Sequence, residues 1–217
     1  MNTLTKIIIE EGLSNRIINA SQLKRLVKGS EQRRYNLVNR AIKSGELQRF
    51  QRGLYMLNER FRDFPCHPFV FAQVLFPGSY ISFETALAYH GWIPEAVFIT
   101  SSVAPGRKSR TFDQGTMGGL SFHPLSIQSG FFLELVNTES TKNQRFLLAN
   151  PFRALMDLVC LRKLKWDGID FLSDSLRIDQ ESIDSITSND IKILERIYKN
   201  NRVKSYLACL SKELNLD

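Results

Sequence analysis

The sequence predicts an α+β protein: an N-terminal winged helix-turn-helix over residues 1–60, then a mixed α+β domain over residues 61–217 with a short-stranded sheet and C-terminal helices. Three observations carry this expectation. A helix start at Ser21 is followed by the Lys28-Gly29-Ser30 turn, too short for anything but a second helix at a steep angle. A Gly53-centred hairpin comes after Gly45. The charge is also segregated: residues 1–60 hold twelve Lys and Arg against five acids, whereas the remainder holds seventeen of each. The whole net charge of +7 therefore belongs to the first segment, as expected of a surface that meets phosphates.

The first segment explains itself element by element. Leu4, Ile7 and Ile8 recur at helical spacing and Gly12 can close that helix. Residues 16–18 read as a short extended piece. Ser21 is placed to cap a helix whose apolar stripe is Leu23, Leu26 and Val27; Gly29 ends it and Ser30 caps the next. From Glu31 to Lys43, Tyr35, Val38, Ala41 and Ile42 form the expected inward stripe, and Arg33, Asn36, Arg40 and Lys43 the outward row. Arg and Asn are the side chains that pair with guanine and adenine edges in a major groove, so this row is the expected recognition surface. Lys24, Lys28 and Arg34 are also expected to be DNA-binding residues. Strand character at 46–50 and 54–57 brackets Gln51-Arg52-Gly53, which puts Arg49 and Arg52 at a hairpin tip suited to the DNA backbone or a narrow minor groove. Phe50, Leu54 and Tyr55 read as hairpin core.

Residues 58–68, with two prolines and no clear period, form the expected boundary. A helix is expected over 69–76, stopped by Pro77-Gly78, and another between the cap Ser82 and Gly91. Strands are expected at 96–101, 120–124, 131–136 and 144–148. Asn150 and Pro151 open a helix through Leu164, and further helices are expected near 189–199 and 203–214. Arg107, Lys108 and Arg110 form a basic loop, a possible secondary contact to DNA or to an acidic partner, or simply a solvated loop.

Three segments resemble a known family. SGELQRFQRGLYML at 44–57 is similar to the winged module of AbiEi-type antitoxins of type IV toxin-antitoxin systems, YISFETALAYHG at 80–91 to the signature that follows it, and NPFRALMD at 150–157 to a later segment. Phe152 stands where an acidic residue is expected in that last segment, and the resemblance covers roughly residues 15–160. It implies an antitoxin that represses its own operon by binding double-stranded operator DNA, with inverted repeats and more than one copy. It also implies a functional partner, a nucleotidyltransferase-like toxin, with no stable complex required. The alternative from the residues alone is a stand-alone winged regulator whose second domain senses a ligand or a protein.

Other classes fare worse. Apolar and charged fractions of 43% and 24% are ordinary for a globular chain, and no apolar run is long enough for a bilayer. Glu10 and Glu11 directly after the Ile run do not fit a secretory signal, so a cytoplasmic location is expected. Cys66, Cys160 and Cys209 and His67, His90 and His123 are scattered without metal-ligand spacing, so neither metal nor cofactor is expected. Gly115-Thr116-Met117-Gly118-Gly119 lacks the GK[ST] ending of a phosphate loop and reads as a flexible hairpin loop. Gly78-Ser79 lacks a following Asp-x-Asp, and Asp190-Ile191-Lys192 falls in an expected helix rather than at the strand end a nuclease needs. No enzymatic activity is expected.

Overall fold

A computed structural model describes residues 1–113 and 118–216. The protein is mixed α+β and divides into two compact units, Met1–Leu75 and Phe76 onward. The first unit extends past Arg60 to include a 3-10 turn at Glu59–Phe61 and a helix at Pro68–Leu75.

The first unit contains helices α1 (Thr3–Glu10), α2 (Ala20–Leu26), α3 (Glu31–Lys43) and α4 (Pro68–Leu75). Its strands β1 (Ile18–Asn19), β2 (Leu47–Gln51) and β3 (Leu54–Leu57) form an antiparallel sheet in the order β1-β3-β2. Leu4, Ile8, Ile18, Leu23, Val27, Val38, Ala41, Leu47 and Leu57 interlock as one core. Each large apolar side chain fully buried there contributes about 1.5–3 kcal/mol. Two expectations are corrected. Ser21 is not the cap of α2: Asn19 Oδ1 accepts from Gln22 N and Gln22 Oε1 accepts from Asn19 N, both at 2.9 Å, a reciprocal box that starts the helix earlier. Tyr35 is not on the inward stripe, being 62% exposed. It lies six residues, about 120° around the helix, from buried Ala41, and Leu37 packs on the core instead.

One carboxylate ties α1 to the start of β2. Glu46 accepts from Thr5 Oγ1 at 2.6 Å and from Asn2 N at 2.7 Å, with the Met1 amino group 3.7 Å away. The Thr5 hydroxyl, then the Asn2 amide, hold its carboxyl down at about 2.

The second unit is built on a six-stranded mixed sheet in the order β6-β7-β5-β4-β9-β8. Its strands are β4 (Tyr80–Ile81), β5 (Ile99–Val103), β6 (Arg110–Asp113), β7 (Gly119–His123), β8 (Val136–Thr141) and β9 (Gln144–Ala149). The β4/β9 and β5/β7 pairs are parallel and the others antiparallel. Helices α5 (Phe83–Tyr89), α6 (Pro151–Arg162), α7 (Gln180–Asp184), α8 (Ser188–Ile197) and α9 (Asn201–Glu213) complete it, with a π-helical turn at Phe171–Ser175. α6 begins as its sequence dictates, with Asn150 Oδ1 accepting from Arg153 N at 2.7 Å ahead of Pro151.

The expected strand over 131–136 is corrected as well. Residues 132–135 form a turn between Gly130 and Leu135, both with positive φ, and the strand proper is the polar run β8 beyond it. As an edge strand β8 needs no continuous apolar face, and Lys142 and Asn143, at φ of 45° and 61°, close its hairpin to β9. Arg110 belongs to strand β6 rather than to the basic loop. Of the expected glycine-rich loop, residues 115–117 lie outside the described residues. Among the described residues no helix is long and apolar enough to cross a membrane.

Candidate nucleic-acid interface

The geometry of the first unit follows from its turn chemistry. Between α2 and α3 only residues 27–30 intervene, and Gly29 there has φ of 109°. A side chain at that position would be strained and would press on Arg33, 3.3 Å away. Ser30 Oγ accepts from Arg33 N at 3.2 Å and starts α3, while Arg34 Nη1 donates to Gly29 O at 2.6 Å and braces the turn. On the other side, Gly53 at φ of 83° turns β2 into β3, and a Cβ there would lie 3.5 Å from that of Ala20 at the start of α2. The hairpin tip is thus drawn against the α2 N-terminus.

These constraints leave a concave cleft of about 560 Å³ walled by three elements. Ala20, Ser21 and Lys24 come from α2, Glu31, Arg34, Tyr35 and Asn39 from α3, and Arg49, Arg52, Gly53 and Tyr55 from the hairpin. Of the residues singled out in the sequence, Lys24, Arg34, Arg49 and Arg52 therefore converge. Arg33, Asn36 and Arg40 do not join them: with Ser30, Gln32 and Leu37 they line a separate shallow depression of about 410 Å³. Lys28 and Lys43 are exposed and line neither. Among the described residues the ion pair of the first unit is that of the Met1 amino group with Glu46, so the cations of the cleft have no acidic partner within hydrogen-bonding distance. Glu31 is the one carboxylate on the cleft wall. An array of exposed Lys and Arg around a concavity attracts a polyanion and releases its counterions on contact.

Tyr35 and Asn39 were not singled out in the sequence as contacts. The signal that could have found them is the cleft itself, which depends on where the hairpin docks.

The second unit handles its charge differently. The two later segments that carry the family resemblance, around Ser82 and Arg153, meet in one buried network. Asp157 accepts from Tyr198 OH at 2.6 Å, Ser82 Oγ at 2.7 Å, Tyr80 OH at 2.9 Å and Arg153 Nε at 3.0 Å. Arg153, 0% exposed, spends its other nitrogens on Glu134 O at 2.9 Å and Tyr80 OH at 2.7 Å. Burial disfavours the Arg153 charge, yet the adjacent Asp157 carboxylate raises its pKa above the ordinary value. Burial, with Asp157 adding to it, pushes the Tyr80 and Tyr198 phenols well up, so both stay protonated as donors. Every charged atom of the pair is spent within the fold, which makes this a structural centre rather than a site open to a substrate.

Other candidates resolve into ordinary structural roles. His90 Nε2 donates to Ala149 O at 3.0 Å from the end of α5. Asp190 completes the capping box of α8 with Thr187, which removes it from any acid-x-Lys motif. Ser82 precedes α5 without capping it, its hydroxyl being committed to Asp157. Arg107 and Lys108 are exposed in a loop, and the Arg110 guanidinium lies over the Phe76 ring at 5.4 Å. Among the described residues no group of three His, Cys, Asp or Glu could hold a metal ion. A groove of about 680 Å³ in the second unit combines apolar walls, including Leu87, Ile93, Phe98 and Leu158, with Ser101, Ser121 and His123. No protein-family model matches the chain, and no curated protein is similar enough to it to count as a relative.

Proposed function

We propose that the first unit is a winged helix-turn-helix that binds double-stranded DNA and that the chain is a transcriptional regulator. One observation carries this reading: Lys24, Arg34, Arg49 and Arg52, from three separate elements, converge on one concave face and, among the described residues, form no ion pair. A charge run on a single helix is commonly just solvated; convergence of three elements across a cleft is not accounted for by solvation alone. The order α1-β1-α2-α3-β2-β3, with a tight turn before α3 and a glycine hairpin after it, supports the winged assignment. Given the resemblance in three segments, we extend the proposal to an antitoxin that represses its own operon in a type IV system and counteracts a nucleotidyltransferase-like toxin, without catalysis of its own.

The test is binding of the purified chain to the duplex upstream of its own gene, followed by fluorescence anisotropy over a salt series. Binding should weaken steeply with salt, the logarithm of affinity falling by about 0.9 per neutralised phosphate for each tenfold rise in salt. Absence of any salt-sensitive binding refutes the reading. Co-expression with the adjacent nucleotidyltransferase should restore growth; failure to restore it removes the antitoxin part and leaves the regulator. The groove of the second unit favours the second reading, a regulator whose larger unit senses a ligand or protein, because its size and its mix of apolar walls with Glu84, Glu95, His123 and Arg162 suit a small molecule that carries polar groups.

A further inference from the structure

We propose that base edges are read by Tyr35 and Asn39, on the hairpin side of α3, and not by the Arg33-Asn36-Arg40 row. This rests on the DNA-binding reading above and names the residues that give it sequence preference.

Phosphate contacts fix how a helix lies in the groove, and bases are then read by the side chains between those contacts. Lys24 on one wall of the cleft and Arg49 and Arg52 on the other are the phosphate contacts, and α3 presents Tyr35 and Asn39 between them. Four residues apart, these two stand one above the other on the same face. Arg33 and Arg40 line a different depression and face a different direction.

Hydrogen bonding separates the two candidate asparagines. Asn36 Oδ1 already accepts from Gln32 Nε2 at 3.1 Å. Asn39 is half-buried, and no hydrogen bond is made by its side-chain amide among the described residues, so donor and acceptor are both free. An amide held in that state matches the N7 acceptor and N6 donor of adenine, which it can bond together. Tyr35 is a large aromatic kept 62% in water beside that amide, a placement the core does not require. Its ring can pack on a thymine methyl and its hydroxyl can reach the backbone. The preferred site is therefore one with an adenine facing Asn39 and a thymine within reach of Tyr35.

The experiment selects duplexes from a random pool with the full chain, then measures affinity for the selected duplex and a scrambled one. Asn39→Ala should reduce the preference for the selected duplex roughly tenfold to a hundredfold, with binding to the scrambled duplex and the salt slope unchanged. Tyr35→Ala should reduce it less, and Arg33→Ala with Asn36→Ala should leave it nearly intact. Replacing the contacted adenine by 7-deazaadenine removes the N7 acceptor without touching the protein. It should weaken wild-type binding and leave the Asn39→Ala variant indifferent, so a folding defect cannot imitate the result. Loss of preference in the Arg33/Asn36 variant, with Asn39→Ala behaving as wild type, overturns the assignment. Binding without sequence preference overturns it too and leaves the DNA-binding reading standing, whereas absence of all DNA binding refutes that reading first.

Discussion

The two units of this chain treat electrostatics in opposite ways. In the first, cations stand around a cleft and, among the described residues, form no ion pair. In the second, a guanidinium and a carboxylate are both withdrawn from water and saturated by two phenols, a hydroxyl and a backbone carbonyl. The exposed charges cost little to keep and contribute little to folding, so they are available to a partner. The buried pair is desolvated at a cost of several kcal/mol per ion, and only complete satisfaction makes it tolerable. The first unit thus leaves its charge open to solvent or a partner, and the second closes its charge within the fold.

The largest test of that contrast is Asp157→Asn. It retains size but deprives Arg153 of its counter-ion at 3.0 Å in a site with no water access. Leaving a buried cation unpaired costs about 3–5 kcal/mol, a large part of the stability of a small domain. Urea unfolding followed by the fluorescence of Trp92 and Trp166, both in the second unit, should show a midpoint shifted down accordingly. A loss under 1 kcal/mol would mean the network is not the closed structural centre its geometry describes.

Next in size is Ser30→Ala. The Ser30 hydroxyl serves one amide, Arg33 N, and its loss should cost about 1 kcal/mol of stability in the first unit. The α3 N-terminus would also fray near Arg34, so DNA affinity should fall in parallel with helix content measured by circular dichroism. Unchanged stability would mean that packing of Val38 and Ala41 alone orients α3.

Glu46 sharpens the comparison from within the first unit, because it is a saturated carboxylate without a buried cation. Its folded pKa of about 2 lies below the unfolded value of about 4.3. Its contribution is therefore fully present above the unfolded pKa and is lost as pH falls from there through about 2. Glu46→Gln should lower the unfolding midpoint at pH 7, and the gap from wild type should narrow as the pH is taken below about 4.3. A gap independent of pH would assign the effect to shape rather than to charge.

What the sequence disclosed and what it withheld follow from the range of the interactions. Ser30, Gly29, Gly53, Asn150 and Pro151 act within a few residues of themselves, and each does in the structure what its local chemistry predicts. The inward or outward fate of Tyr35 depends on which side of α3 the core claims. That is set by the packing of α3 against α1 and β2, which the spacing within α3 does not disclose. The same holds for the division of α3 into two faces, since only the docking of Gly53 near Ala20 decides which face belongs to the cleft. The Asp157 network joins positions 41 to 77 residues apart, a pairing that spacing alone cannot reveal. Capping departs from local expectation at two places: Asn19 starts α2 ahead of Ser21, and the Ser82 hydroxyl is claimed by Asp157 instead of capping α5.

The smallest expected change in stability, and the sharpest check on the contrast, is Arg52→Ala. Arg52 is exposed at the hairpin tip and, among the described residues, forms no ion pair. Surface substitutions of that kind usually fall within about 0.5 kcal/mol of wild type, so the unfolding midpoint should not move. The salt dependence of DNA binding should nevertheless lose about one unit of slope, because one phosphate contact fewer releases one condensed counterion fewer. Sequence preference should survive, since a phosphate contact acts on every duplex alike. A variant that loses stability without losing slope would place Arg52 with Arg153, among the charges the fold uses for itself, and the division between the two units would then fail at the residue where it is drawn most plainly.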